Sequence, residues 1–115
     1  MSRSPTDSQE FDLVHLDRQT FGDAALQDEL LRLFDEQCAR LMPVIAGGTS
    51  RERADAAHTL KGAARAVGAW PVASRAEAFE EALARPASGH VAGHVDSLEA
   101  AVAAARAALA RRRNR

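Results

Sequence analysis

Residues Thr49–Gly68 read TSRERADAAHTLKGAARAVG and carry the signals of a single helix from start to stop. Thr49 followed three residues later by Glu52 has the form of a capping box, in which each side chain satisfies the other residue's backbone amide, so a helix is expected to start here. Gly68 is the natural stop, because glycine enters the left-handed conformation that closes a helix without steric cost. Between the two signals Ala57, Leu60, Ala64 and Val67 recur at spacings of three and four. That is one apolar stripe on a helix buried along a single side.

The same period recurs on both sides of this segment. Upstream, Asp23 is placed to cap a longer helix after Phe21 and Gly22; its stripe is Leu26, Leu30, Phe34, Cys38, Leu41 and Ile45, and Gly47 and Gly48 end it. Before it, Phe11 to Gln19 makes a short first helix with Phe11, Val14 and Leu16 partly buried, and residues 1–10 read as a disordered tail. Downstream, Pro71 suits the first turn of a helix that buries Val72, Ala76, Phe79 and Leu83 and ends before Pro86. After a loop from Pro86 to Gly89, the last helix carries Val91, Val95, Leu98, Val102, Ala105 and Leu109, and residues 111–115 trail off as a basic tail. The expectation is an all-α protein: an antiparallel, up-down four-helix bundle with a short additional N-terminal helix, its domain spanning residues 11–110.

Composition agrees and narrows the function. At 115 residues the chain holds one modest core, too little for a nucleotide-binding domain beside it. Ala, Leu and Arg are abundant and Tyr is absent, which favours helices over a β-sandwich. A formal net charge of −1 gives no bulk attraction for nucleic acid. Cys38 is the only cysteine, so no intrachain disulfide forms, and a reduced cytoplasmic setting fits. No signal peptide or membrane-length apolar run is evident, and a soluble, unprocessed chain is expected.

The chemistry gathers on the second face of the Thr49–Gly68 helix. His58, Lys61, Gly62 and Arg65 fall at i, i+3, i+4 and i+7 and stand together away from the stripe. An exposed imidazole offers a neutral ring nitrogen as a nucleophile near pH 7. A phosphoryl group placed on it carries about two negative charges. Lys61 supplies a mobile cation one turn away, and Gly62 leaves space where a side chain would block the incoming group. Lys61 is also the only lysine in a chain whose other basic residues, arginines, make up the rest of the 15.

Residues His58 to Ala69, HTLKGAARAVGA, resemble the active segment of the histidine phosphotransfer (HPt) domains of bacterial phosphorelays, where His-x-Leu-Lys-Gly precedes small residues and a second glycine. Phe79-Glu80 falls where that family carries a Leu-Glu or Leu-Gln pair, and Thr20 to Asp23 with Leu30 to Phe34 looks like the start of its bundle. The resemblance covers about residues 11–110. It implies that His58 is the phosphoacceptor, that Lys61 and Gly62 shape the phosphate site, and that Glu80 accepts a hydrogen bond from the other ring nitrogen. Partners are then the receiver domains of a hybrid histidine kinase and of a response regulator. The carrier itself needs no cofactor, Mg²⁺ being held by the receiver, and works as a cytoplasmic monomer without kinase activity of its own. Phe79 in place of leucine and the basic Arg65 are departures from the pattern.

Two other readings stand beside this one: a phosphoacceptor modified directly by a separate kinase catalytic domain, and a receiver-docking module without phosphate chemistry. Acid-labile, base-stable label is the readout that tests them, sought with ATP alone and then with a phosphorylated receiver. Elsewhere, His90 and His94 have a metal-compatible spacing but no third ligand in reach and Gly93 between them. His15 reads as a surface residue of the first helix, and Cys38 as a small core side chain.

Overall fold

The computed structural model describes residues 10–114, and among them every regular element is helical. Five α-helices follow one another: α1, Leu13–Thr20; α2, Ala24–Gly47; α3, Ser50–Val67; α4, Trp70–Ala84; and α5, Val91–Arg113, with a 3₁₀ turn, Pro86–Ser88, before the last. The expected tail over residues 1–10 lies, except for Glu10, outside the described residues.

Local signals act where the sequence places them. The Asp12 and Asp23 side chains accept from His15 N and Leu26 N and so cap α1 and α2. Both halves of the capping box form at α3: Glu52 N donates to Thr49 Oγ1 at 3.1 Å and Thr49 N to Glu52 Oε1 at 3.0 Å. Gly68 ends α3 at φ +74°, and a Cβ there would lie 3.0 Å from the Asp12 backbone carbonyl oxygen. Only glycine suits that position, because Asp12 N donates back to Gly68 O at 2.8 Å and holds the start of α1 against the end of α3.

The four long helices form a closed packing circuit: α2 lies on α3, α3 on α4, α4 on α5, and α5 returns to α2, while α1 covers α2 and α3. Phe34, Leu60, Phe79 and Leu98, one from each long helix, are fully buried at the centre. Ala57, Ala64, Ala76 and Ala105 are wholly inaccessible and let the helices approach closely. Phe11 meets the Phe34 ring edge to face at 5.9 Å. Arg53 ties α3 to the end of α2, its Nε donating to Ile45 O at 2.7 Å and its guanidinium lying 5.3 Å over the Phe79 ring.

Packing shifts three expectations. Val14 is 61 % exposed, whereas Phe11, just before α1, and Leu16 are buried as expected, with Thr20 beside them. On α2 the exposed Leu26 falls outside the stripe and Leu31 is buried in it. The third difference is that α5 runs on to Arg113; Leu109 and Arg112 line one hollow with Leu31 and Asp28. Arg112 Nη2 donates to Asp28 at 3.3 Å, and basic residues in a last turn complement the negative end of the helix dipole.

Candidate phosphoryl-transfer site

The middle of α3 and the facing turn of α4 build the site. On α3, the stripe of Ala57, Leu60, Ala64 and Val67 is buried as expected, which rotates His58 outward. Its side chain is 74 % exposed. From α4, Glu80 follows the fully buried Phe79 and so emerges at the seam between the helices, 22 % exposed.

The two oxygens of Glu80 have different neighbours. Oε2 lies 3.2 Å from His58 Nδ1, and since a carboxylate only accepts, that nitrogen carries the proton. In the neutral ring Nε2 is then the nitrogen with the free lone pair, on a side chain that is mostly exposed. Oε1 is closed off from water and lies 2.7 Å from the Lys61 ammonium. Lys61 therefore differs from the free, mobile cation expected of it: its side chain is only 15 % exposed and is committed to Glu80. A cation that close neutralises a carboxylate that would otherwise repel an approaching anion.

Gly62 opens onto solvent, with no atom within 4 Å of the position a Cβ would take. Close helix packing does not explain it, so clearance beside His58 is the reading the geometry favours. One turn further, Arg65 reaches Glu77 of α4 at 3.4 Å, with both side chains about half exposed. Glu80 thus meets both His58 and Lys61, while Arg65 meets Glu77 three residues earlier on α4.

The surroundings hold residues whose roles the sequence reading did not find. His15 is half-buried, not a free surface residue: its Nε2 donates to Arg65 O at 2.9 Å and its ring lies 4.9 Å from that of Trp70. The Trp70 indole donates to Asp12 Oδ2 at 2.9 Å. That hydrogen bond, with the His15 amide, holds the Asp12 carboxyl below its usual range. These contacts pin α1 to the end of α3, and their only sequence signal was the apolar Trp next to Pro71. Cys38 is buried as expected, and burial pushes its thiol up to about 12. His90 caps α5 in a left-handed conformation at φ +74°, so it and His94 do not share a regular helix face. Among the described residues no three His, Cys, Asp or Glu side chains converge in a way that could hold a metal ion, and no helix is long and apolar enough to cross a membrane.

The structure is thus an all-helical bundle that displays the His58 imidazole on a helix face, beside a carboxylate from the next helix. The family model described as Hpt domain matches residues 23–112, most of the chain, and the protein belongs to that family, whose members act in histidine phosphotransfer within phosphorelays. No curated protein and no solved structure shows a significant match to the chain.

Proposed function

We propose that this protein is a phosphocarrier in which His58 Nε2 takes a phosphoryl group from the aspartyl phosphate of one receiver domain and passes it to the aspartate of another. The observation that carries the reading is the 3.2 Å contact of Glu80 with His58 Nδ1, on a ring whose other face is open to solvent. A carboxylate on one nitrogen fixes the tautomer and leaves the other nucleophilic, as in catalytic triads. Nε2 uses its lone pair to form the N–P bond, the electrons of the breaking P–O bond leave with the receiver's carboxylate, and the Nδ1 proton stays against Glu80. Lys61 balances the charge of Glu80 during this exchange, and Gly62 gives the receiver's phosphoryl group room to approach.

Such a transfer depends mainly on alignment and charge neutralisation. The carrier supplies the aligned imidazole, and the receiver supplies Mg²⁺ and the acceptor carboxylate, so the chain needs no cofactor and has no kinase activity alone. The short connections, and ion pairs in which successive α3 residues Lys61 and Arg65 meet the descending α4 residues Glu80 and Glu77, support an antiparallel up-down order. A bundle that closes its core within one chain supports a monomer, and this setting is cytoplasmic. The test is to incubate the protein with ATP alone and then with a phosphorylated receiver. Acid-labile, base-stable label is expected only from the receiver; label from ATP alone, or from neither, would overturn the proposal.

A further inference from the structure

We infer that Arg65, swinging away from Glu77, is the side chain that directly contacts the phosphoryl group at His58; this rests on the phosphocarrier reading. Two cations follow the histidine on α3, and they are held differently. Lys61 is covered, and its ammonium is held 2.7 Å from Glu80. To reach a phosphoryl group it would have to leave a carboxylate oxygen that is closed off from water. Arg65 is held far less firmly: it is 52 % exposed, and Glu77, itself half exposed, is 3.4 Å away. Solvated ion pairs of this kind are weak and exchange partners readily.

Position makes Arg65 fit to act. It stands two turns after His58 on nearly the same side of α3, about 10 Å along the axis. Side chains on a helix lean towards its N-terminus, so an Arg65 released from Glu77 can extend back over Gly62 towards His58. That path is open, because nothing lies within 4 Å of where a Gly62 side chain would begin. The backbone of Arg65 is anchored, since its carbonyl accepts from His15 Nε2 and so ties the last turn of α3 to α1. A guanidinium also presents a planar fork of donors that matches phosphate oxygens, where a single ammonium does not. On this account Gly62 provides the gap, Arg65 the phosphate ligand, and Glu77 a resting place for the guanidinium when no phosphoryl group is present.

The step that Arg65 assists involves no proton of its own. Nε2 attacks phosphorus, the bond to the donor breaks, and the guanidinium donates hydrogen bonds to the non-transferring oxygens before, during and after the exchange.

Phosphoramidate, a small donor that needs no docking surface, isolates this contribution; ammonia is its leaving group. With the intact protein, ³¹P NMR follows phosphohistidine formation at saturating donor, and ¹⁵N spectra follow the Arg65 Nε–H signal. Arg65→Ala is expected to slow phosphorylation about tenfold, with an unchanged melting temperature, and Arg65→Lys to recover part of the loss. Glu77→Gln, which releases Arg65, should leave the rate at or above that of the wild type. The Arg65 Nε–H resonance should move on phosphorylation of the wild type and return after hydrolysis. An Arg65→Ala protein that is phosphorylated at the wild-type rate, or a Glu77→Gln protein as slow as Arg65→Ala, would overturn the inference alone. Failure of the wild type to form phosphohistidine at His58 would overturn the phosphocarrier reading first and this inference with it.

Discussion

Glu80 holds the His58 imidazole through Nδ1 at 3.2 Å, across the seam between α3 and α4, so in the neutral ring the nitrogen with the free lone pair is Nε2. The second oxygen of the same carboxylate, 2.7 Å from Lys61, makes this more than a hydrogen bond between two side chains. Orientation of the ring and charge balance of the site depend on one residue.

Removal of Glu80 should therefore have two separable effects. Glu80→Ala frees the ring and leaves a mostly covered ammonium without its partner, so transfer slows without stopping and stability drops by about 1 kcal/mol. Glu80→Gln keeps an acceptor for Nδ1–H while removing the counter-charge of Lys61, and its transfer rate should lie between those of Glu80→Ala and wild type. Lys61→Ala leaves an unbalanced carboxylate beside the transferring group and should slow transfer as well. Wild-type rates in all three proteins would show that the constellation has no part in the chemistry.

How much of this was legible in the sequence depends on the range of the interaction. The bounds of α3 are set by Thr49, Glu52 and Gly68 within a few residues of where they act, and the outward face of His58, Gly62 and Arg65 follows from the helical period alone. Glu80 lies 22 residues from His58 and entered through the family resemblance, since period and composition say nothing about which residue of another helix meets a given histidine. The retention of Lys61 by Glu80 was not legible for the same reason. On α2 the period placed Leu30 in the stripe, whereas packing buries Leu31 and leaves Leu30 only partly covered. The corner of Asp12, His15 and Trp70 joins three segments by side-chain hydrogen bonds, which leave no periodic trace.

His58→Gln should leave the bundle intact, because an exposed side chain creates no cavity when replaced; its melting point should correspond to a change within about 0.5 kcal/mol. Phosphoryl uptake should be abolished. Label retained by this variant would move the acceptor to His15, His90 or His94 and remove the basis of the site.

Asp12 gives the N-terminal corner a defined acid response. Hydrogen bonds from the Trp70 indole and the His15 amide hold its pKa below the ordinary carboxylate value of 3.8. A group depressed in the folded state contributes stability that is fully present above its unfolded pKa and is lost as pH falls through the folded one. The window thus lies below about pH 4, and neutral conditions leave the corner intact. Trp70, the only tryptophan, reports on it directly. Its fluorescence should show an acid step that Asp12→Asn lacks; the same step in the variant would assign it to another carboxylate.

Gly62 is the residue at which stability and function are expected to oppose each other. A glycine inside a helix costs about 1 kcal/mol relative to alanine, and nothing within 4 Å of its missing Cβ offsets that cost by packing. Gly62→Ala should accordingly raise stability by about that amount. The single methyl still leaves most of the gap beside His58, so transfer should fall only modestly. Gly62→Gln should also fold well, since its side chain extends into solvent, yet it stands between His58 and an incoming receiver and should hinder transfer much more. If the glycine were needed for helix packing, both variants would melt below the wild type and the larger one further, by overpacking. Melting curves and transfer rates on the same two proteins separate these cases: a Gly62→Gln variant that melts well below wild type, or one that is stable and transfers at the wild-type rate, would each overturn the clearance account.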